Sequence, residues 1–158
     1  LNSYADTETM QADFWPLLQA RKPEQEKLTV ININLTDSSN IYAPMQFSTY
    51  VAAQQGDLFL ISRDEMLKIT SDGTRESLVE LTPYLESGAI DAEDIDLAKG
   101  TLDRGDGTTA VYAIPADTLT GLNAYGNDPR DSLLCIPMYS KNADGAAALI
   151  ELMLEKLR

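Results

Sequence analysis

Histidine is missing from all 158 residues, and with it the side chain most used as a general base near neutral pH and as a zinc ligand. Ser-His-Asp and Cys-His mechanisms are thereby excluded. Only carboxylates, lysine, tyrosine and serine remain as catalytic groups, so we expect a non-enzymatic protein with no catalytic residues, no metal site and no cofactor. Cysteine is nearly absent too. Cys135 has no second cysteine to pair with, and its place in the apolar run 133–136 marks it as a small buried hydrophobe. Basic residues are scarce, 12 against 25 acidic ones, for a net charge of −13. Nucleic-acid phosphates and anionic lipid surfaces would be repelled by such a chain. No apolar run reaches the roughly 20 residues that a membrane span needs.

What is present fits one ordinary core. Hydrophobic residues make up 44% of the chain, enough for a single domain over 1–158 and not comfortably for two. The charge is uneven: residues 80–131 hold eleven acidic side chains against Lys99, Arg104 and Arg130, which reads as a solvated acidic surface. The chain begins at Leu1, and a start without methionine leads us to expect a processed or trimmed product whose signal peptide or anchor has been removed. Asn34 and Thr36 complete a glycosylation triplet, which here overlaps an expected strand end.

Hydrophobic spacing supplies the elements. Met10, Phe14, Leu17 and Leu18 share a helical face, predicting a helix over 7–20 that Pro16 either kinks or displaces toward Phe14. Residues 28–35 alternate in the manner of a strand, with one continuous β-branched face and another that turns polar at Asn32 and Asn34. Turn formers follow, then a helix over 44–54 carrying Phe47, Tyr50 and Val51 and stopped by Gly56. Residues 57–62 form the next strand. Two strands joined by a helical crossover are expected to run parallel, and open parallel sheets hold their ligand crevice at the carboxyl ends of the strands.

Beyond it, Ser62 and Glu65 have the spacing of a capping box. Thr82 and Pro83 open one or two helical turns. The stretch 90–107 reads as mostly surface loop, with the turn 103–107 leading into a strand over 109–114. A calcium loop beginning at Asp103 fails, because Thr108 stands at its sixth position and Ile114 at its twelfth. Residues 119–125 and 133–139 are further strand candidates. Residues 142–157 form the clearest helix, with Ala146, Ile150, Met153, Leu154 and Leu157 in one stripe.

Four segments in this order carry a family likeness: 57–62, the 81–88 stretch with Leu81, Pro83, Tyr84 and Leu85, the 111–115 stretch ending Tyr112, Ala113, Ile114 and Pro115, and the late helix opened by Ser140 and Asn142. Together they resemble the extracytoplasmic solute-binding proteins of ABC importers. Those proteins have two lobes that close on a ligand, whereas this length has room for one. The resemblance implies an α/β fold: a single three-layer domain with a mainly parallel or mixed sheet flanked by helices, like one lobe of a periplasmic binding protein. It further implies a bacterial protein outside the cytoplasmic membrane, tethered by an N-terminal segment absent here.

For such a sheet the crevice residues lie just past the strand ends: Asp37, Ser38, Asn40 and Tyr42 after the first strand, Ser62 and Arg63 after the second, and Asp117 after Pro115. We take Asp37, Asn40, Tyr42, Ser62, Arg63 and Asp117 as candidate ligand-binding residues. Asn40 and Ser62 also suit a plain role as helix caps. Trp15 and Tyr112 suit core packing as well as stacking on a sugar or peptide, and Tyr42 is the best exposed aromatic candidate. Asp91, Glu93, Asp94 and Asp96 read as solvated charges, since nothing in a flexible loop separates their pKa values. The expected function is a binding or interaction module for a small polar solute, a sugar or peptide, or for a membrane or extracytoplasmic protein. The alternative is a structural or regulatory protein-interaction domain that binds no small molecule.

Overall fold

The computed structural model describes residues 6–31, 33, 39, 41–126 and 128–158, the side chain of Asp72 excepted. The first helix, α1 (Thr7–Arg21), starts at Asp6, whose carboxylate accepts from the Thr9 amide, and runs through Pro16 without ending there. Then come α2 (Ala43–Ala52), β1 (Phe59–Ser62), α3 (Arg63–Ile69), α4 (Thr74–Ser77) and α5 (Thr82–Glu86). A hairpin of β2 (Thr101–Asp103) and β3 (Thr109–Val111) follows, then β4 (Ala113–Pro115), β5 (Ser132–Cys135) and α6 (Ala143–Leu157). Short 3-10 turns occupy Thr70–Asp72, Leu97–Gly100 and Thr120–Tyr125. The protein is thus mixed α/β, with small sheets.

The larger sheet has the order β1-β5-β4, and both of its pairings are antiparallel. Phe59 lies opposite Cys135 and Ser62 opposite Ser132, while Ala113 lies opposite Cys135 and Pro115 opposite Leu133. β1 and β4 therefore point the same way on either side of β5. The centre goes to β5 because its residues are buried on both faces. Leu134 and Ile136 join the cluster formed by Phe14 and Leu18 of α1 and the stripe of α6, along with Ile114. Leu133 and Cys135 join the opposite cluster, with Ala43 and Phe47 of α2, Met66 of α3 and Ile61. Burying one leucine-sized side chain is worth about 2 kcal/mol, so each face of this strand contributes separately to the core.

The parallel pairing expected between 28–35 and 57–62 is corrected here. Residues 28–31 and 33 carry no strand, and Asn32, Asn34 and Leu35 lie outside the described residues. The backbone amide of Val30 donates to the Gln11 side chain instead, at 3.0 Å. No pairing among the described strands is parallel. Residues 119–125 are a 3-10 turn closed by Gly126 in the left-handed region (φ 80°), not a strand. The expected strand 109–114 is divided at Tyr112 between two sheets. Most of 90–107 is exposed, as expected, but Ile90, Ala92 and Ile95 are buried in the α1/α6 cluster. Gly100 lies so close to β4 that a Cβ there would stand 1.9 Å from the Ala113 carbonyl oxygen.

Candidate functional site

The like-directed ends of β1 and β4 bring three of the candidate residues to one end of the sheet. Ser62 closes β1 and accepts the Glu65 amide on its hydroxyl at 3.2 Å. The capping reading of Ser62 is thus realised, while the Glu65 carboxylate is turned to Lys68 at 2.9 Å. The Arg63 amide donates to the carbonyl of Asp131 at 3.3 Å. Across β5, the Ala116 amide donates to the Ser132 carbonyl at 2.8 Å. Asp117 then accepts the Asp131 amide on Oδ1 at 2.9 Å.

Lys99 completes this end. Its ammonium lies 3.2 Å from Asp131 and 3.5 Å from Asp117, and the Asp131 carboxylate first, then that of Asp117, raises its pKa above the ordinary lysine value. The three side chains are largely exposed, and such pairs contribute little to stability. Their geometry fixes the loop instead, since Asp131 sits at φ 58°, a conformation open to aspartate at modest cost. Ser132 beside it is 5% exposed. Among the described residues nothing hydrogen-bonds its hydroxyl, although burying an unpaired hydroxyl is costly. Sequence reasoning missed Lys99, Asp131 and Ser132. Only the turn-rich composition of 126–131 hinted that a strand begins there.

The other candidates stand differently. Asp37 and Asn40, with Ser38, lie outside the described residues. Tyr42 sits at the N-terminal boundary of α2, where Pro44 occupies the first turn. It is 68% exposed, between Ile41 at 71% and Met45 at 60%. Helix α2 buries Ala43 and Phe47 on its inner face, and the Phe47 ring meets that of Phe59 edge-on at 5.7 Å. The same short stretch of chain therefore anchors a helix to the sheet and holds three large apolar side chains in solvent.

Two grooves lie away from the sheet end. One, of about 350 Å³, is lined by α1 and residues 27–30; the other, of about 400 Å³, is lined by 85–97. Trp15, a candidate for core packing, is half-buried and lines the first. Tyr112 is fully in the core. The Cys135 thiol is buried, and burial pushes its pKa up to about 12. Among the described residues no group of His, Cys, Asp or Glu is placed to hold a metal ion, and no helix is long and apolar enough to cross a membrane.

Comparison with protein-family models, with curated proteins and with solved structures returns no match.

Proposed function

We propose that this chain is a non-enzymatic interaction module whose partner is a protein, and that the start of α2 is the surface it presents. One observation carries the reading: Ile41, Tyr42 and Met45, within five residues, are each at least 60% exposed. Scattered apolar residues on a surface need no explanation, but large ones held together in solvent are characteristic of contact surfaces. Aromatic residues and methionine are also the types enriched in protein interfaces, and unbranched methionine adapts to irregular partners.

The sheet end supports a protein partner over a small solute. There Ser62, Asp117, Lys99 and Asp131 spend their polar groups on one another and on backbone amides. The grooves described above involve none of them. The kinship proposed with one lobe of a solute-binding protein, as a three-layer domain, draws on the order of the four sequence segments and on helices covering both faces of the β1-β5-β4 sheet. Its placement outside the cytoplasmic membrane, on an N-terminal tether, belongs to the same proposal.

A photo-reactive phenylalanine analogue introduced at Met45, and separately at exposed Gln19 of α1 as control, tests the contact in the producing cell. Discrete protein adducts from position 45, absent from position 19 and lost on adding Ile41→Asp, are the expected result. Equal labelling from both positions, or none from position 45, contradicts the proposal.

A further inference from the structure

Trp15 is the only tryptophan of the chain, and its neighbours on α1, Phe14 and Leu18, take the buried positions that it does not. It packs half-buried at the edge of the core and forms part of the groove of about 350 Å³ between α1 and residues 27–30. That volume falls at the lower end of the roughly 300–1,000 Å³ usual for small-ligand sites. The two walls are tied together, since the Gln11 side-chain oxygen accepts the Val30 amide at 3.0 Å. The fixed amide leaves both N–H donors of Gln11 available beside the groove.

The lining has a definite chemistry. Trp15, Leu28 and Val30 supply apolar surface, and Glu8, Gln11 and Lys27 supply an acceptor, an amide and a cation. Glu8 and Lys27 form no ion pair with any described residue. One acid and one base offset each other, so in a chain of net charge −13 this groove carries no net charge of its own. A singly charged ligand of either sign would meet a like charge in the lining, Lys27 for a cation and Glu8 for an anion. From Glu8 to Trp15 the helix rises about 10 Å, at 1.5 Å per residue. That is room for one or two sugar rings and short for an extended peptide.

We propose that this groove binds a neutral polyhydroxylated ligand, a mono- or disaccharide, with a C–H face of one ring resting on the Trp15 indole and its hydroxyls bonded to Glu8, Gln11 and Lys27. An indole offers a rigid apolar platform with a polar edge, which suits the two faces of a sugar. Carboxylate, amide and ammonium together match hydroxyls that both donate and accept. The groove shares no residue with the surface at the start of α2, so the two proposals stand or fall separately.

A lone tryptophan makes the test direct, because any change in indole emission reports on this groove. The intact protein is titrated with maltose, cellobiose and N,N′-diacetylchitobiose into the millimolar range, where weak binding is still detected. We expect at least one of them to shift the emission saturably and to protect Trp15 from acrylamide quenching. In Glu8→Gln and Lys27→Met, both at exposed positions, the apparent Kd should weaken severalfold with the melting temperature unchanged. Three results overturn the assignment: no saturable shift with any of the three sugars while circular dichroism shows a folded chain, an unaltered Kd in both variants, or a response to trialanine or glycine betaine alone.

Discussion

The Oδ1 of Asp117 accepts the backbone amide of Asp131 at 2.9 Å, and so ties the loop that follows β4 to the residue just before β5. Asp131 needs this, because its backbone stands at φ 58°. The hydrogen bond is worth about 1 kcal/mol, somewhat more because its acceptor is charged. Asp117→Ala should lower unfolding stability by about 1–2 kcal/mol in a urea titration. Asp131→Gly, which relieves the left-handed conformation, should cost nothing measurable, whereas Asp131→Val should cost at least as much as Asp117→Ala.

Ser132 gives a prediction of the opposite sign. Its hydroxyl is buried without a hydrogen bond from the described residues. Replacing an unpaired buried hydroxyl by a methyl group removes a desolvation penalty of about 1 kcal/mol or more. Ser132→Ala should therefore be neutral or more stable by about that amount in thermal unfolding. A loss of 1 kcal/mol or more would show that the hydroxyl is satisfied.

Alkaline pH should destabilise the fold. Burial first, then the Asp144 carboxylate, pushes the Tyr84 phenol up to about 12, and burial does the same for Tyr139. The hydrogen bond to Asp13 chiefly raises Tyr125, also to about 12, and burial takes Cys135 there. Their ordinary values are 10.0 for the phenols and 9.0 for the thiol. Between those values and about 12 the unfolded chain has lost protons that the folded one keeps, so stability falls as pH rises. It is fully present below about pH 9. Absorbance titration of the seven tyrosines should show these phenols ionising late in the folded state and together with the others in urea. Thiol reagents should reach Cys135 only after unfolding.

Gly100 is required by proximity. A Cβ would stand 1.9 Å from the Ala113 carbonyl oxygen, and that carbonyl belongs to the sheet and has no freedom to rotate away. Gly100→Ala should destabilise by about 3 kcal/mol through overpacking. Gly105→Ala, on the exposed hairpin turn with open space around it but φ 102°, should cost about 1 kcal/mol from backbone strain alone.

Local patterns made the long helices legible. The apolar stripe of Ala146, Ile150, Met153, Leu154 and Leu157 gave α6 nearly to its ends, and Phe47 with Val51 gave α2. Strand pairing was not legible, because it joins Phe59 to Cys135 from distant parts of the chain, and no local period records that choice. The alternation over 28–33 suited a strand, but Val30 gives its amide to Gln11, so tertiary contact overrides β propensity. For the candidate site, the expectation of a parallel sheet puts Ser62, Arg63 and Asp117 at one sheet end. They meet there because β1 and β4 flank β5 in the same direction. Lys99 and Asp131 escaped notice because exposed charges in an acidic stretch carry no pattern.

Cross-strand nuclear Overhauser effects test that arrangement most directly. Pairs outside the hydrogen-bonded rings of an antiparallel ladder bring their α-carbons to about 4.5 Å. The Arg63 amide bonded to Asp131 and the Ala116 amide bonded to Ser132 assign those close pairs to Leu60 with Leu134 and to Ala113 with Cys135. Strong Hα–Hα contacts in both pairs are the predicted result. Their absence, with contacts instead linking residues 29–33 to 58–61 in parallel register, would contradict the sheet on which the site is built.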